Sequence, residues 1–254
     1  MLDKILGIFR GFKKENETTY EKVYHKNNCK MYEGKMKGDQ FHGKGKCYDE
    51  NENLIYEGEF IHDLPDGEGI YYFAKNEYYI GQFKQGERTG YGTYYWSDGE
   101  KYEGYFLKGQ KEGKGKHLHA NGDIYEGTFV DNIMQGKGIA RYVNGDIYEG
   151  TFENGIEMGF GILWLADGSY YEGEVVECVP HGKGEYKGKT GDTYKGDFIE
   201  GAMTGKGQII YEDGSRYIGE FKNGKRHGDG VFQDLGGNQY EGIFEDNAMI
   251  RRTA

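Results

Sequence analysis

Along most of the chain, aromatic and glycine residues alternate with charged or polar ones at a period of two, and the alternation restarts at a nearly fixed interval. A Tyr-x-Gly opening recurs at Tyr32, Tyr56, Tyr79, Tyr102, Tyr125, Tyr148, Tyr171, Tyr194, Tyr217 and Tyr240, with one spacing of 24 residues followed by eight of 23. Counting each unit from its Tyr as offset 0, Gly fills offset 2 in all ten units and offsets 11 and 13 in the nine complete ones. Tyr, Gly and usually Phe at offsets 0, 2 and 4 share one face of a strand, and the frequent Glu at offset 1 points to the other. Offsets 11 to 17 alternate in the same way and predict a second strand. Between the two lies a polar segment such as Lys222-Asn223-Gly224-Lys225-Arg226-His227, read as a loop. Both prolines, Pro65 and Pro180, fall at offset 9 inside it, where they cost no ladder bond. Asp-Gly and Asn-Gly pairs near offsets 19 and 20, such as Asp98-Gly99, predict tight hairpins between repeats.

The expected fold is all-β, an elongated single-sheet meander of tandem 23-residue β-hairpins with a short N-terminal helix. Glycines set between aromatics on one face let a ring lie flat over the bare backbone of a neighbouring strand. Burying a ring contributes roughly 1.5 to 3 kcal/mol while ordering a residue costs roughly 1 to 2, so one unit cannot stand alone and stability must come from stacking. Residues 1–31 read as an amphipathic segment followed by an incomplete capping strand at Val23-Tyr24-His25. Residues 32–254 read as nine complete repeats and a final half repeat, with no second strand expected after Phe244.

Composition agrees. The chain has 254 residues, with 45 Gly, 2 Pro and 40 aromatic residues, a mixture that opposes helix and is too rich in aromatics for disorder. The formal charge is −11, which argues against nucleic acid as a partner, and it is unevenly spread. Residues 1–31 carry seven Lys/Arg against four Asp/Glu, leaving −14 on the rest. Cys29, Cys47 and Cys178 are too few and too scattered for a disulfide framework or a Cys-based zinc site and suit a reducing compartment. No apolar run is long enough for a membrane-spanning helix, and the first residues lack a secretory cleavage site; a mitochondrial presequence is less firmly excluded.

The repeats resemble the MORN (membrane occupation and recognition nexus) repeat. Tyr217-Ile-Gly-Glu-Phe-Lys-Asn-Gly-Lys-Arg-His-Gly-Asp-Gly230 follows its consensus almost throughout, and the likeness covers residues 32 to 244. The resemblance implies an extended sheet of hairpins of the kind found in junctional membrane proteins, ciliary radial spokes, cytoskeletal scaffolds and myosin-binding adaptors. Some relatives carry the array beside a lipid kinase or methyltransferase; with 31 residues before the array and about ten after it, no attached catalytic domain is expected.

Candidate chemistry is sparse. Asp49-Glu-Asn51-Glu-Asn53 imitates the start of a calcium loop but has Leu54 at the sixth position and Phe60 at the twelfth. His117-x-His119 has strand spacing and could give two ligands on one face, but no third or fourth is evident, so both are read as ordinary strand residues. The Gly-Lys-Gly sequences lack a phosphate-loop context, and Glu103 with Lys114 and Glu126 with Lys137 read as cross-strand ion pairs. No catalytic residue, metal, cofactor or small-molecule substrate is expected.

Two features stand apart from the lattice. Leu2, Ile5, Leu6, Phe9 and Phe12 recur at helical spacing beside basic residues, as a cap, a partner-docking helix or a contact to an anionic lipid surface. On the outward face, where charged residues are usual, repeat six places Phe160, Ile162 and Trp164 beside Ile139 of repeat five, and repeat three places Ile80, Tyr91 and Tyr95. Both patches read as partner-binding surfaces unless the curl of the sheet buries them. The expected function is a non-enzymatic scaffold for protein partners in the cytoplasm, within a cytoskeletal, ciliary or membrane-associated assembly. The alternative is peripheral binding to anionic lipid through the N-terminus.

Overall fold

The computed structural model describes residues 18–24 and 30–253. Among these there are twenty-one strands in one antiparallel sheet and no helix. The N-terminal helix expected over the first residues lies outside the described part.

The strands divide between two compact units, one reaching Asn121 and including Phe129–Asn132, the other comprising Gly122–Thr128 and the chain from Ile133 onward. The first contains β1 (Thr18–Tyr24), β2 (Lys30–Lys37), β3 (Gln40–Tyr48), β4 (Leu54–Ile61), β5 (Leu64–Ala74), β6 (Glu77–Lys84), β7 (Glu87–Tyr95), β8 (Lys101–Leu107) and β9 (Gln110–Leu118). β10 (Ile124–Val130) supplies residues to both. The second contains β11 (Ile133–Arg141), β12 (Ile147–Glu153), β13 (Ile156–Trp164), β14 (Tyr170–Val176), β15 (Val179–Lys187) and β16 (Thr193–Ile199). It continues through β17 (Ala202–Ile210), β18 (Arg216–Lys222), β19 (Lys225–Gln233), β20 (Gln239–Glu245) and β21 (Ala248–Arg252).

Within each unit every strand pairs with its successor in one recurring register. In β8 and β9, Tyr102 faces His117 and Gly104 faces Gly115. The offset-2 and offset-13 glycines therefore form unbroken rows, for example Gly69, Gly81, Gly92 and Gly104 in the first unit. The repeat tyrosine lies over this bare backbone and is almost completely buried in all nine complete repeats. Its hydroxyl donates to the carbonyl three residues on, as Tyr102 does to Tyr105 at 3.1 Å. A Cβ added at Gly104 would stand 2.6 Å from both the Gly115 Cα and the Tyr102 hydroxyl, so no larger residue fits. The Phe at offset 4 then meets two tyrosines edge-on: Phe106 sits 5.1 Å from Tyr102 and 5.0 Å from Tyr79 of the preceding repeat. Val175 interrupts this series in repeat seven.

Three expectations are corrected. The tight turn lies inside each repeat, at offsets 6 and 7, where Lys108 and Gly109 both have positive φ (49° and 82°), the signature of a two-residue type I′ hairpin. The Asp-Gly pairs instead close longer junctions, as where Gly99 N–H donates to Trp96 and Trp96 N–H to Glu100. Consequently the second strand starts near offset 8. Pro65 and Pro180 lie within β5 and β15, next to the hairpin turn, facing Phe60 and Val175. The register slips between Gly104 and Phe106, opposite Gly113, whose φ of +68° is the left-handed conformation that a bulge glycine takes. That slip places offset 9 on the aromatic face. Finally, a second strand does form after Tyr240: β21 pairs with β20.

Candidate functional site

The outward-facing residues selected from sequence are solvent-accessible. In the first unit Ile80 (41% exposed) lies on β6 opposite Ile70 of β5 and Thr93 of β7. Beside them Tyr95 stacks on Tyr78 at 4.7 Å, Tyr78 meets Tyr72 at 6.2 Å, and Lys101 lies over the Tyr95 ring. Tyr91 (48% exposed) meets Tyr105 edge-on at 5.4 Å and donates to Glu103 at 3.0 Å. The sheet thus joins Ile80, Tyr91 and Tyr95 to Ile70, Tyr72, Tyr78 and Tyr105, which the sequence reading did not single out. Ile70, Tyr72 and Tyr105 occupy the outward offsets 14, 16 and 3 of neighbouring repeats, so pairing repeats two to four across the lattice would have found them. Glu103 faces Lys116 rather than the expected Lys114, and its ion pair is with Lys101 at 2.9 Å.

In the second unit Phe160 (60% exposed), Ile162 and Trp164 (39% exposed) share the outward face of β13. They stand opposite Glu174, Glu172 and Tyr170 of β14. Ile139 is not brought against Ile162, because Glu149 of β12 pairs with both. Leu2, Ile5, Leu6, Phe9 and Phe12 lie outside the described residues.

The opposite, aromatic face carries charges that sequence reasoning placed in loops. At offset 9, Arg88 lies among Phe73, Tyr79, Tyr94 and Phe106 with its guanidinium carbon 5.0 to 5.7 Å from the ring centres. It donates to the Gly109 carbonyl at 2.7 Å. Arg226 repeats the arrangement among Tyr211, Tyr217, Phe232 and Phe244. Lys111 sits over Trp96, Tyr102 and Phe129, and burial pushes its ammonium down to about 8.

Lys111 adjoins a polar cluster. His117, buried at an offset filled elsewhere by apolar or aromatic side chains, hydrogen-bonds through Nε2 to the Glu100 carboxylate. Its ring lies 4.1 Å from that of His119, and the Lys111 amine is 3.3 Å from its Nδ1. Burial above all, with the neighbouring Lys111 and His119 charges, pushes the His117 imidazole down to about 3. Glu100, His117 and His119 present ligand atoms within 4.8 Å of one another. The sequence reading saw two of these three. Glu100 sits seventeen residues before His117, and only the β8–β9 register, with Lys101 opposite Leu118, brings it there.

This lattice of hairpins, glycine rows and interleaved tyrosines is that of a repeat-array protein. The MORN-repeat family model matches nine consecutive segments, residues 32–53, 56–78, 79–101, 102–124, 125–147, 148–170, 171–193, 194–216 and 217–238, and the chain belongs to that family. No curated protein matches the sequence. Among solved structures, the TCP domain of Drosophila melanogaster SAS-4 (dCPAP), in complex with a proline-rich motif of Ana2, is similar at 16% identity and a TM-score of 0.40. That match covers 61% of this chain and 85% of the domain. The TCP10 domain of Danio rerio CPAP is similar at 10% identity and a TM-score of 0.41, over 80% of this chain and 94% of the other. Scores below 0.5 do not establish a common overall fold.

Proposed function

We propose that this MORN array is a non-catalytic scaffold that docks protein partners on the outward face of its sheet, within a cytoskeletal, ciliary or membrane-associated assembly. The observation that carries the reading is the contiguous patch of the first unit. Tyr72, Tyr78 and Tyr95 run across three strands beside Ile70 and Ile80, and Tyr91 meets Tyr105 on the same side. Exposed apolar and aromatic side chains that are contiguous in this way favour a protein interface, where tyrosine anchors contribute most of the binding free energy. Affinity purification with crosslinking from wild type and an Ile80→Lys/Tyr91→Lys variant tests it. Loss of partners with an unchanged melting temperature supports the reading, and unaltered recovery by the variant refutes it.

A second reading, attachment to anionic lipid, rests on the net +3 of residues 1–31 against −14 on the remainder. Full-length chain with Ile5, Leu6 and Phe9 changed to Ser is the test: it should fail to float with anionic vesicles that lift the wild type.

A further inference from the structure

Repeat four departs from the lattice twice on its aromatic face. Offset 15 is Cys, Tyr, Ala, Leu, Ile or Phe in every other complete repeat, and here it is His117. Offset 17 has an aromatic residue in several repeats, and here it is His119. The acidic residue two positions before the repeat tyrosine is shared with other repeats but serves them differently. Glu77 accepts from the Tyr94 hydroxyl at 2.7 Å, while the shorter Asp146 accepts from the Ala166 N–H of the next junction. Among the described residues, only before the tyrosine of repeat four, at Glu100, does a glutamate at this place lie beside two imidazoles.

We infer that Glu100, His117 and His119 bind one divalent transition-metal ion, with zinc the best match. Zinc takes imidazole nitrogen and carboxylate oxygen at about 2.0 to 2.2 Å in tetrahedral geometry, so its donors stand about 3.3 to 3.6 Å apart. The ligand atoms here lie within 4.8 Å of one another, and closing that span by about 1 Å takes rotation of the Glu100 and His119 side chains. His117 is fixed in the core, whereas Glu100 and His119 are half-exposed, which leaves a path for the ion and a fourth position for water. Two imidazoles and one carboxylate select zinc, copper or nickel over calcium and magnesium, which need more oxygen donors. The ion would take the place of the proton now held between His117 and Glu100. Lys111 opposes it, since its amine lies 3.3 Å from the His117 ring.

The test is zinc titration of full-length, chelator-stripped protein by calorimetry, with cobalt(II) absorption as a spectroscopic signature of the site. One zinc per chain is expected, along with the visible bands of four-coordinate cobalt. Glu100→Gln keeps the hydrogen bond to His117, and His119→Tyr installs the residue found at the same place in repeats five and eight. Each should weaken zinc binding by at least about tenfold while the metal-free protein melts as wild type does. Lys111→Met should tighten binding several-fold. Absence of stoichiometric binding, or binding that neither ligand substitution alters, overturns the inference. Weaker binding by Lys111→Met would add the amine to the ligand set and overturn the three-ligand assignment.

Discussion

The ring of Tyr102 occupies the space in which a side chain at Gly115 would stand. Gly115→Ala must therefore displace a fully buried tyrosine and should cost about 1 to 3 kcal/mol, seen as a lowered melting temperature. At Gly188 an added methyl meets its nearest neighbour at 3.5 Å, and φ is not positive. Gly188→Ala should change stability by no more than about 0.5 kcal/mol. Equal effects at the two positions would contradict the packing described.

Burial raises Tyr125, Tyr148, Tyr171, Tyr194 and Tyr217 to about 12. Below pH 10 these phenols are neutral in both folded and unfolded chains, so they add no pH dependence there. Above pH 10 the unfolded chain ionises first, and stability falls as pH rises towards the folded values. In an alkaline titration the buried tyrosines should ionise together, in one step that coincides with loss of the β circular dichroism signal. Gradual tyrosinate absorbance with the sheet intact would count against it.

Cys47 is buried, and its thiol is pushed up to about 12; Cys178, half-buried, is pushed up to about 11. The thiolate is the reactive form, so neither should alkylate appreciably at pH 8 in the native protein. Peptide-mapped mass spectrometry should show both modified rapidly once denaturant is added. Prompt native-state labelling of Cys47 would disprove its burial.

Phe160 faces Glu174 across the β13–β14 ladder from an exposed position. Phe160→Lys gains an opposite-charge neighbour and should leave stability within about 0.5 kcal/mol of wild type. Partner recovery should fall if this face docks protein. Trp164→Lys should have the same effect on recovery with a somewhat larger loss of stability. Recovery unchanged in both would make the patch incidental.

The hairpin lattice was legible because its signals reinforce one another: Tyr at offset 0 and Gly at offsets 2 and 13 point to one face, and the register lines them up as expected. The turns were not. Lys225, Arg226 and His227 look like loop residues by local polarity, yet their pairing with β18 carries them into β19, and the bulge at Gly228 turns Arg226 to the aromatic side. The cationic offset-9 residues Arg88, Lys111 and Arg226 are each accommodated among several rings, whereas the anionic Glu157 accepts a hydrogen bond from the Tyr142 hydroxyl. Glu100 was missed for a related reason. Its neighbours are set by strand pairing, while its position in sequence suggests only a turn.

Tyr240 is the one repeat tyrosine left half-exposed, its hydroxyl turned to Asp234 at 2.9 Å. Gly242, beside it, faces Gly230 on one side but Arg252 in place of a glycine on the other. Each earlier tyrosine is roofed by its own hairpin and, outside the Val175 step, by the phenylalanine of the repeat that follows, so the array has a direction. A unit duplicated in the interior finds a ready-made neighbour on both sides, whereas the last ring always waits for one. An internal repeat can therefore be added or removed with the same tyrosine-to-phenylalanine contact re-formed across the join.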